Sequence, residues 1–418
     1  MQHETDLIGT IAMGLSAAFV IGLVSARLRI PPVVGYLIAG VIVGPFTPGL
    51  VADSSTANQL AELGVLLLMF GVGLHFSISD LMAVRNVAVP GTLLKIAVVT
   101  GLAVLATQAW DWSIGAGILF GMGLGVASTV VLLRALTDLG SLKQTPSKIA
   151  VGSLIVEDLV TVMALVLLPV LADSMGGVSP STSSRGVFET VLIALFKVTV
   201  FLFVMLVIGR RVLPWIFRRV AGIDSRELFL LAVLALALGV AYGAAQIFDV
   251  SFALGAFVAG VILSETAFGH QAEEEIYTFR EAFGILFFVS VGMLIDPSFL
   301  IENPLRILVT ALIIVVGKGL AGFVITLALR QSVESALTVG IGLGQIGEFS
   351  FILATMGVGL KILPKEGSDL ILAAALVSII CNTILFHFLP GAKIWAAKRW
   401  PNRSLAVLEA RTQFPTAG

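Results

Sequence analysis

The sequence predicts an all-α polytopic membrane protein in which about thirteen transmembrane helices form two inverted six-helix repeats. Three observations predict this fold class. The 418 residues are 58% hydrophobic and 12% charged, apolar runs follow one another along the chain, and its two halves share glycines at a nearly constant offset. A soluble domain carries about 25% charged residues, so the composition excludes that class.

Charge and cysteine content exclude several functions. With 25 basic and 26 acidic residues the formal net charge is -1, so no overall basic field would recruit nucleic acid. Cys381 has no second cysteine to pair with, and the four histidines lack metal-ligand spacing. We therefore expect no nucleic-acid partner, no zinc or redox chemistry and no cofactor in this chain.

The helices are predicted from apolar runs near the length of about 20 residues that a bilayer core requires. The first run follows the acidic start Met1–Glu4 without a basic n-region, which predicts a retained helix and not a signal peptide. The second and ninth runs are short. In order, the predicted spans are 6–26, 31–45, 57–75, 86–106, 113–136, 147–171, 187–209, 226–247, 250–264, 281–296, 305–329, 335–357 and 368–390.

The distribution of basic residues predicts the orientation. With the N-terminus outside, the inner side holds 18 Lys and Arg residues and the outer side four, Arg185, Arg306, Lys361 and Lys365. Because Lys and Arg concentrate in cytoplasmic loops, this split predicts an outer N-terminus and a cytoplasmic C-terminus. We expect membrane lipid to surround the predicted helices.

An internal repeat predicts how the spans are arranged. Residues 35–42 match residues 255–262 at five of eight positions, and further glycine matches follow at offsets of 219 or 220. The matched spans are seven apart, which reverses their direction in the membrane, and inverted repeats are typical of secondary transporters. The predicted transmembrane domain covers 1–395, with a first repeat at 6–171, a linker helix at 187–209 and a second repeat at 226–390, and a cytoplasmic tail follows at 396–418.

Glu157 and Asp158 lie at the centre of the sixth span, where an ionisable side chain costs at least about 2.5 kcal/mol. With Ser153 and Thr161 on neighbouring faces they predict a water-facing stripe. Two carboxylates in a low dielectric repel when both are ionised, so a proton and a monovalent cation can compete for the same oxygens. A purely structural hydrogen-bond network is the alternative.

Three lysines also fall near the middle of spans. Lys318, flanked by glycines in the eleventh span, is the predicted countercharge of Glu157, either as a pair that breaks on cation entry or as a permanent salt bridge. Lys197 lies on the linker helix and Lys95 in the fourth span, and the sequence assigns Lys95 no role.

Glycine clusters in the fifth and twelfth spans, at 121–125 and 340–347, predict discontinuous helices that cross near the carboxylates. Free carbonyls with Ser128 and Thr129 would supply neutral oxygens to a cation, while Gln345 and Glu348 would neutralise the broken ends. Simple glycine packing is the alternative. Glu62, near the outer end of the third span, is expected at the mouth or at an interface.

Taken together, these motifs resemble the monovalent cation:proton antiporter-2 family, most closely its Kef-type potassium efflux members. The resemblance is carried by 35–45, Glu157–Asp158, 252–257, 287–293 and 344–349. It implies a sodium/proton antiporter-like fold, a homodimer in the bacterial inner membrane, a core domain that moves as an elevator, and ion binding at Asp158 beside Glu157, with Lys318 as the membrane lysine.

Two features depart from the family pattern. Relatives carry Asp or Gln where this chain has Glu157, so ion choice and stoichiometry stay open. Kef-type members continue into a nucleotide-binding regulatory domain, so we expect the tail to be a linker towards such a domain. The predicted function is exchange of K⁺, more than Na⁺, for H⁺ and not an enzymatic reaction, with a cation channel or an organic-solute transporter as alternatives.

Overall fold

The computed structural model describes residues 2–28, 30–47, 54–75, 78–141, 144–178, 187–223, 225–248, 250, 252–293 and 295–401. Within these ranges the ordered elements are helices, and no strand occurs among them. The predicted all-α class is confirmed.

The first part of the chain forms α1 (Gln2–Arg27), α2 (Pro32–Val43), α3 (Ser54–His75), α4 (Ile78–Gln108), α5 (Ile114–Leu124), α6 (Thr129–Asp138) and α7 (Thr145–Leu171). A short 3-10 turn follows at Asp173–Met175.

The second part forms α8 (Val187–Val204), α9 (Arg210–Ala221), α10 (Arg226–Phe248), α11 (Phe252–Ser264), α12 (Gly269–Met293), α13 (Pro297–Glu302), α14 (Pro304–Leu312), α15 (Gly319–Ala328), α16 (Val333–Gly342), α17 (Glu348–Gly359) and α18 (Lys365–Arg399). Two π-helical segments, Met205–Gly209 and Ile313–Lys318, join α8 to α9 and α14 to α15.

Seven helical stretches among the described residues are long and apolar enough to cross a membrane. They are Leu7–Arg27, Met82–Gln108, Phe196–Ala221, Arg226–Phe248, Gly269–Met293, Pro304–Ala328 and Lys365–Arg399. Large apolar side chains such as Phe19, Leu105 and Ile247 point outward from them. Such a surface suits lipid and not water.

Some helix ends differ from the prediction. The helix α12 begins at Gly269 and not at 281, because its first turns carry acidic residues that an apolar window omits, among them Glu275, which accepts from Arg226 Nε at 2.7 Å. The two π-helical segments were not predicted, since a local widening of a helix leaves the apolar composition unchanged.

The helices pack in two groups. In one, α3 lies against α11 and α12, and α2 lies against α1 and α12. In the other, α4 packs on α5 and α7, and α16 packs on α7, α15 and α18. The second group contains Glu157 and Asp158 on α7 together with both interrupted helices.

Two close glycine crossings hold the first group together. A Cβ built on Gly40 of α2 would lie 2.8 Å from Gly292 Cα of α12, and one built on Gly260 of α11 would lie 3.0 Å from Gly73 Cα of α3. Each would also overlap a backbone oxygen of the facing helix. Small residues let helix backbones approach in this way, and no larger side chain fits at either crossing.

The turns that lead into α5 and α16 have the same conformation. Asp111 and Arg330 adopt φ values of 60° and 61°. Two residues further on, Ser113 and Ser332 cap the helices by accepting hydrogen bonds from backbone N–H groups at 3.1 and 3.0 Å. A positive φ is uncommon outside glycine. Both turns have such a residue two positions before a capping serine, and this is a specific match between the halves of the chain.

Candidate functional site

The two interrupted helices meet at their breaks. Residues 125–128 separate α5 from α6, and residues 343–347 separate α16 from α17. Ser128 N donates to Gln345 Oε1 and Gln345 Nε2 donates to Ser128 O, each at 3.1 Å. Gly347 N donates to Val126 O at 3.2 Å. The breaks therefore cross in direct contact, where the glycine clusters predict them.

Gly347 marks the tightest point of this crossing. A Cβ at this position would lie 2.8 Å from Ser128 N and would overlap the carbonyl of Ala127. The backbone of one break thus occupies the volume that a side chain at residue 347 would need. A glycine is required here because two backbones touch.

The broken helix ends are satisfied by side chains from other helices. Lys318 Nζ donates to Gln345 O at 2.9 Å, Ser350 Oγ to Gly123 O at 2.6 Å, and Asn382 Nδ2 to Ile341 O at 2.5 Å. Buried backbone carbonyls need such partners inside a bilayer. The roles of Ser350 and Asn382 were not foreseen, although a polar residue in the middle of an apolar span was the available signal.

Glu157 is fully buried on α7 and forms an ion pair with Lys95 of α4. Its second carboxylate oxygen accepts a hydrogen bond from Ala127 N at 2.7 Å, at the α5–α6 break. The prediction that Lys318 is its countercharge is therefore wrong. The helix α4 packs along α7 and carries Lys95 to Glu157, whereas Lys318 points to the α16–α17 break.

Asp158 is 3% exposed and lies beside the start of α6. Thr129 Oγ1 donates to Asp158 Oδ2 at 3.3 Å. Thr129 is the first residue of α6, so the carboxylate stands near the positive end of that helix. The neighbouring carboxylates thus have different surroundings: Glu157 is held by a lysine and an amide, and Asp158 by a hydroxyl at a helix N-terminus.

The other predicted site residues serve mainly the backbone. Ser128 Oγ accepts from Val131 N at 3.3 Å as the cap of α6. Thr161 Oγ1 donates to the Glu157 carbonyl at 2.8 Å, and the Ser153 carbonyl accepts from Thr92 Oγ1 at 3.1 Å. Glu348 begins α17, and its side chain lies outside the described residues.

A small cavity of about 10 Å³ lies beside the Lys95–Glu157 pair. Lys95, Thr92, Ser153 and Thr326 contribute polar groups to its wall. Its volume is close to what one water molecule needs, and polar walls favour hydration.

Two further residues singled out from the sequence lie on other helices: Glu62 is exposed on α3, and Lys197 is half-buried on α8.

A family described as "Sodium/hydrogen exchanger, transmembrane" matches residues 14–390 of the chain. The "Putative cation/proton antiporter YbaL" of Escherichia coli (strain K12) is 52% identical over 389 residues, which cover 93% of this chain and 69% of that protein. "K(+) efflux antiporter 4" of Arabidopsis thaliana is 31% identical over 393 residues, which cover 94% of this chain and 65% of that protein.

Among solved structures, the sodium proton antiporter MjNhaP1 from Methanocaldococcus jannaschii at pH 8 is similar to this chain with a TM-score of 0.72. The match covers 95% of this chain and 99% of that one at 20% sequence identity. At this identity the likeness concerns the fold alone.

Proposed function

Because the chain belongs to the sodium/hydrogen exchanger family and to its Kef-type antiporter branch, we propose that it exchanges K⁺, more than Na⁺, for H⁺ at Asp158. At the coarser level it is a multi-pass membrane cation/proton antiporter, a transporter and not an enzyme. The expected resemblance to the cation:proton antiporter-2 family is confirmed. The ion, the site and the transport mechanism are the proposal.

The observation that carries the proposal is the placement of Asp158 beside two crossed helix breaks. A partly dehydrated cation needs oxygen ligands, and the α5–α6 break brings the hydroxyl of Thr129 and backbone carbonyls to the carboxylate of Asp158 on α7. When a proton binds Asp158, the negative charge that attracts the cation disappears. Cation and proton therefore exclude each other at one site, and this exclusion couples their fluxes.

The same site would face the two sides of the membrane in turn. The matched turns before α5 and α16 and the paired glycine crossings support two inverted repeats, arranged as thirteen spans. The first packing group would be the scaffold. The second, which contains Asp158 and the interrupted helices, would be the mobile core that moves as an elevator. We place this transmembrane domain at 1–395, with its first repeat at 6–171, linker helix at 187–209 and second repeat at 226–390.

The surroundings of the transporter follow from the same proposal. We expect a homodimer in the bacterial inner membrane with the N-terminus outside and the C-terminus in the cytoplasm, as the uneven distribution of basic residues indicates. The tail at 396–418 lies outside the described residues from residue 402 onward, and its role as a linker stays a prediction.

K⁺ is favoured over Na⁺ by the relative named as a K⁺ efflux antiporter, which aligns over 94% of this chain. The structure adds that Lys95 neutralises the charge of Glu157, the carboxylate next to Asp158. A single carboxylate exerts a weaker field on a cation than two do, and a weaker field favours the larger, more easily dehydrated ion.

The test uses purified protein in liposomes with a lumenal pH dye. Adding K⁺ outside should change the lumenal pH, Na⁺ should give a smaller response, and choline should give none. The response should vanish in Asp158→Asn, while Asp173→Asn, on the short turn after α7, serves as the matched control. A cation current without proton movement would indicate a channel and would overturn the proposal.

A further inference from the structure

The two carboxylates of α7 differ in how their charge is compensated. Lys95, itself 1% exposed, pairs with one oxygen of Glu157, and Ala127 N–H occupies the other at 2.7 Å. An ammonium group and an amide N–H both stabilise the ionised form of a carboxylate. Glu157 is therefore held as a neutral unit with Lys95, and both its oxygens already have donors.

Three other charged side chains surround Glu157 in the described part of the chain. They are Asp158 next to it on α7, Lys95 on α4 and Lys318 on the π-helical segment before α15. Lys318 donates to the backbone oxygen of Gln345 and so serves the second helix break. Asp158 accepts a hydrogen bond from the uncharged hydroxyl of Thr129 at 3.3 Å.

We infer that Lys95 is a positioning residue that keeps Glu157 paired throughout the cycle, so that each turnover moves one cation against one proton at Asp158 without net charge. This inference rests on the proposed antiport and adds its stoichiometry. Glu157 is then no cation ligand. Its task is to anchor the α5–α6 break through Ala127, which sets the position of Thr129 relative to Asp158.

The pair should behave as a unit when it is mutated. In Lys95→Met, an uncompensated carboxylate remains in the core, next to the site and beside the cavity of about 10 Å³. In Glu157→Gln, the unpaired ammonium group of Lys95 remains near Asp158 and competes with the cation. In the double variant Lys95→Met/Glu157→Gln, both charges are absent, and the glutamine carbonyl can still accept from Ala127 N.

The experiment records solid-supported-membrane currents beside the lumenal pH signal of proteoliposomes, with K⁺ and then Na⁺ as the probe cation. The wild type should acidify or alkalinise the lumen without net charge transfer. Each single variant should lose at least about tenfold in exchange rate, and the double variant should recover to within about threefold of wild type with an unchanged KM for the cation. Such recovery is the coupling expected of residues in contact. Lys197→Met, a lysine of the linker helix, is the control.

The outcomes separate the inference from the proposed function. If the wild type moves no protons against either cation, the proposed function fails. If it exchanges but carries a net charge on every turnover, the stoichiometry is refuted without any variant. If exchange occurs and the double variant is as inactive as the single ones, or binds the cation more weakly, Glu157 is a ligand and the role of Lys95 is wrong. Size-exclusion profiles of each variant identify failed folding, and the wild-type current decides the stoichiometry in that case.

Discussion

Replacing glycine by alanine should change the free energy of unfolding in opposite directions at a glycine crossing and at an open glycine position. In Gly40→Ala, the new Cβ would lie 2.8 Å from Gly292 Cα and would overlap the carbonyl oxygen of Val289. Non-bonded carbon atoms prefer about 3.5–4.0 Å, so α2 and α12 must separate by about 1 Å. Overpacking of this kind costs about 1–3 kcal/mol.

Gly101→Ala is the matched control. Gly101 lies in α4, and a Cβ there would meet nothing within 4 Å. Alanine is more favourable than glycine inside a helix by about 1 kcal/mol. We therefore expect Gly101→Ala to raise the free energy of unfolding slightly and Gly40→Ala to lower it, a difference of about 2–4 kcal/mol between the variants.

The measurement is equilibrium unfolding by SDS of the protein purified in detergent, followed by circular dichroism. Gly260→Ala, at the second crossing, should lose as much as Gly40→Ala if the two crossings are equivalent. Equal stability of Gly40→Ala and Gly101→Ala would refute the close approach of α2 and α12. A loss at only one crossing would refute the equivalence of the two halves.

Three further predictions concern the site and one helix end. Asp158→Asn should fold like wild type, as judged by the same unfolding curve, and exchange no faster than empty liposomes; retained exchange places the site elsewhere. Gln345→Ala should lower the free energy of unfolding by about 1–3 kcal/mol, because the N–H of Ser128 loses its buried acceptor, whereas the C=O of Ser128 keeps the N–H of Leu132; an unchanged curve contradicts the crossing. The hydrogen bonds of Asp296 with Ser298, first with its hydroxyl and then with its backbone N–H, lower the pKa of this carboxyl. The cap that Asp296 forms on α13 is therefore complete above the ordinary pKa of Asp and is lost as the pH falls through the lowered pKa. Hydrogen exchange of the α13 amides should show this loss. Asp296→Asn should remove the pH dependence.

The two helix breaks could be read from the sequence. Glycine clusters at 121–125 and 340–347 predicted both helix breaks, because unwound backbone in a membrane needs small residues and polar neighbours. Each of these predictions depends on a few consecutive residues, and the structure places the breaks accordingly.

The pairing of buried charges could not be read in this way. Lys95 and Lys318 both lie near the middle of apolar spans, and the sequence contains nothing local that says which of them reaches Glu157. That choice depends on the rotation of α4 and of the π-helical segment about their own axes. The unpredicted π-helical turn ends at Lys318, and a π-helical turn rotates the residues that follow it relative to a regular α-helix.

The two halves of the chain are alike in their helix packing and differ in their buried charged residues. The glycine crossings and the turns before α5 and α16 are alike in both halves, and the proposed alternating access by two inverted repeats would require such likeness, because each half would adopt the packing of the other. The lysines are not alike: Lys95 binds a carboxylate, whereas Lys318 binds a backbone oxygen. Only one half carries Asp158. A cation site needs its charged ligand at one position only. Substitutions of Asp158 and of the two lysines, which differ between the halves, should therefore be tested for their effect on transport. Substitutions at the glycine crossings and the turns, which are alike in both halves, should be tested for their effect on stability.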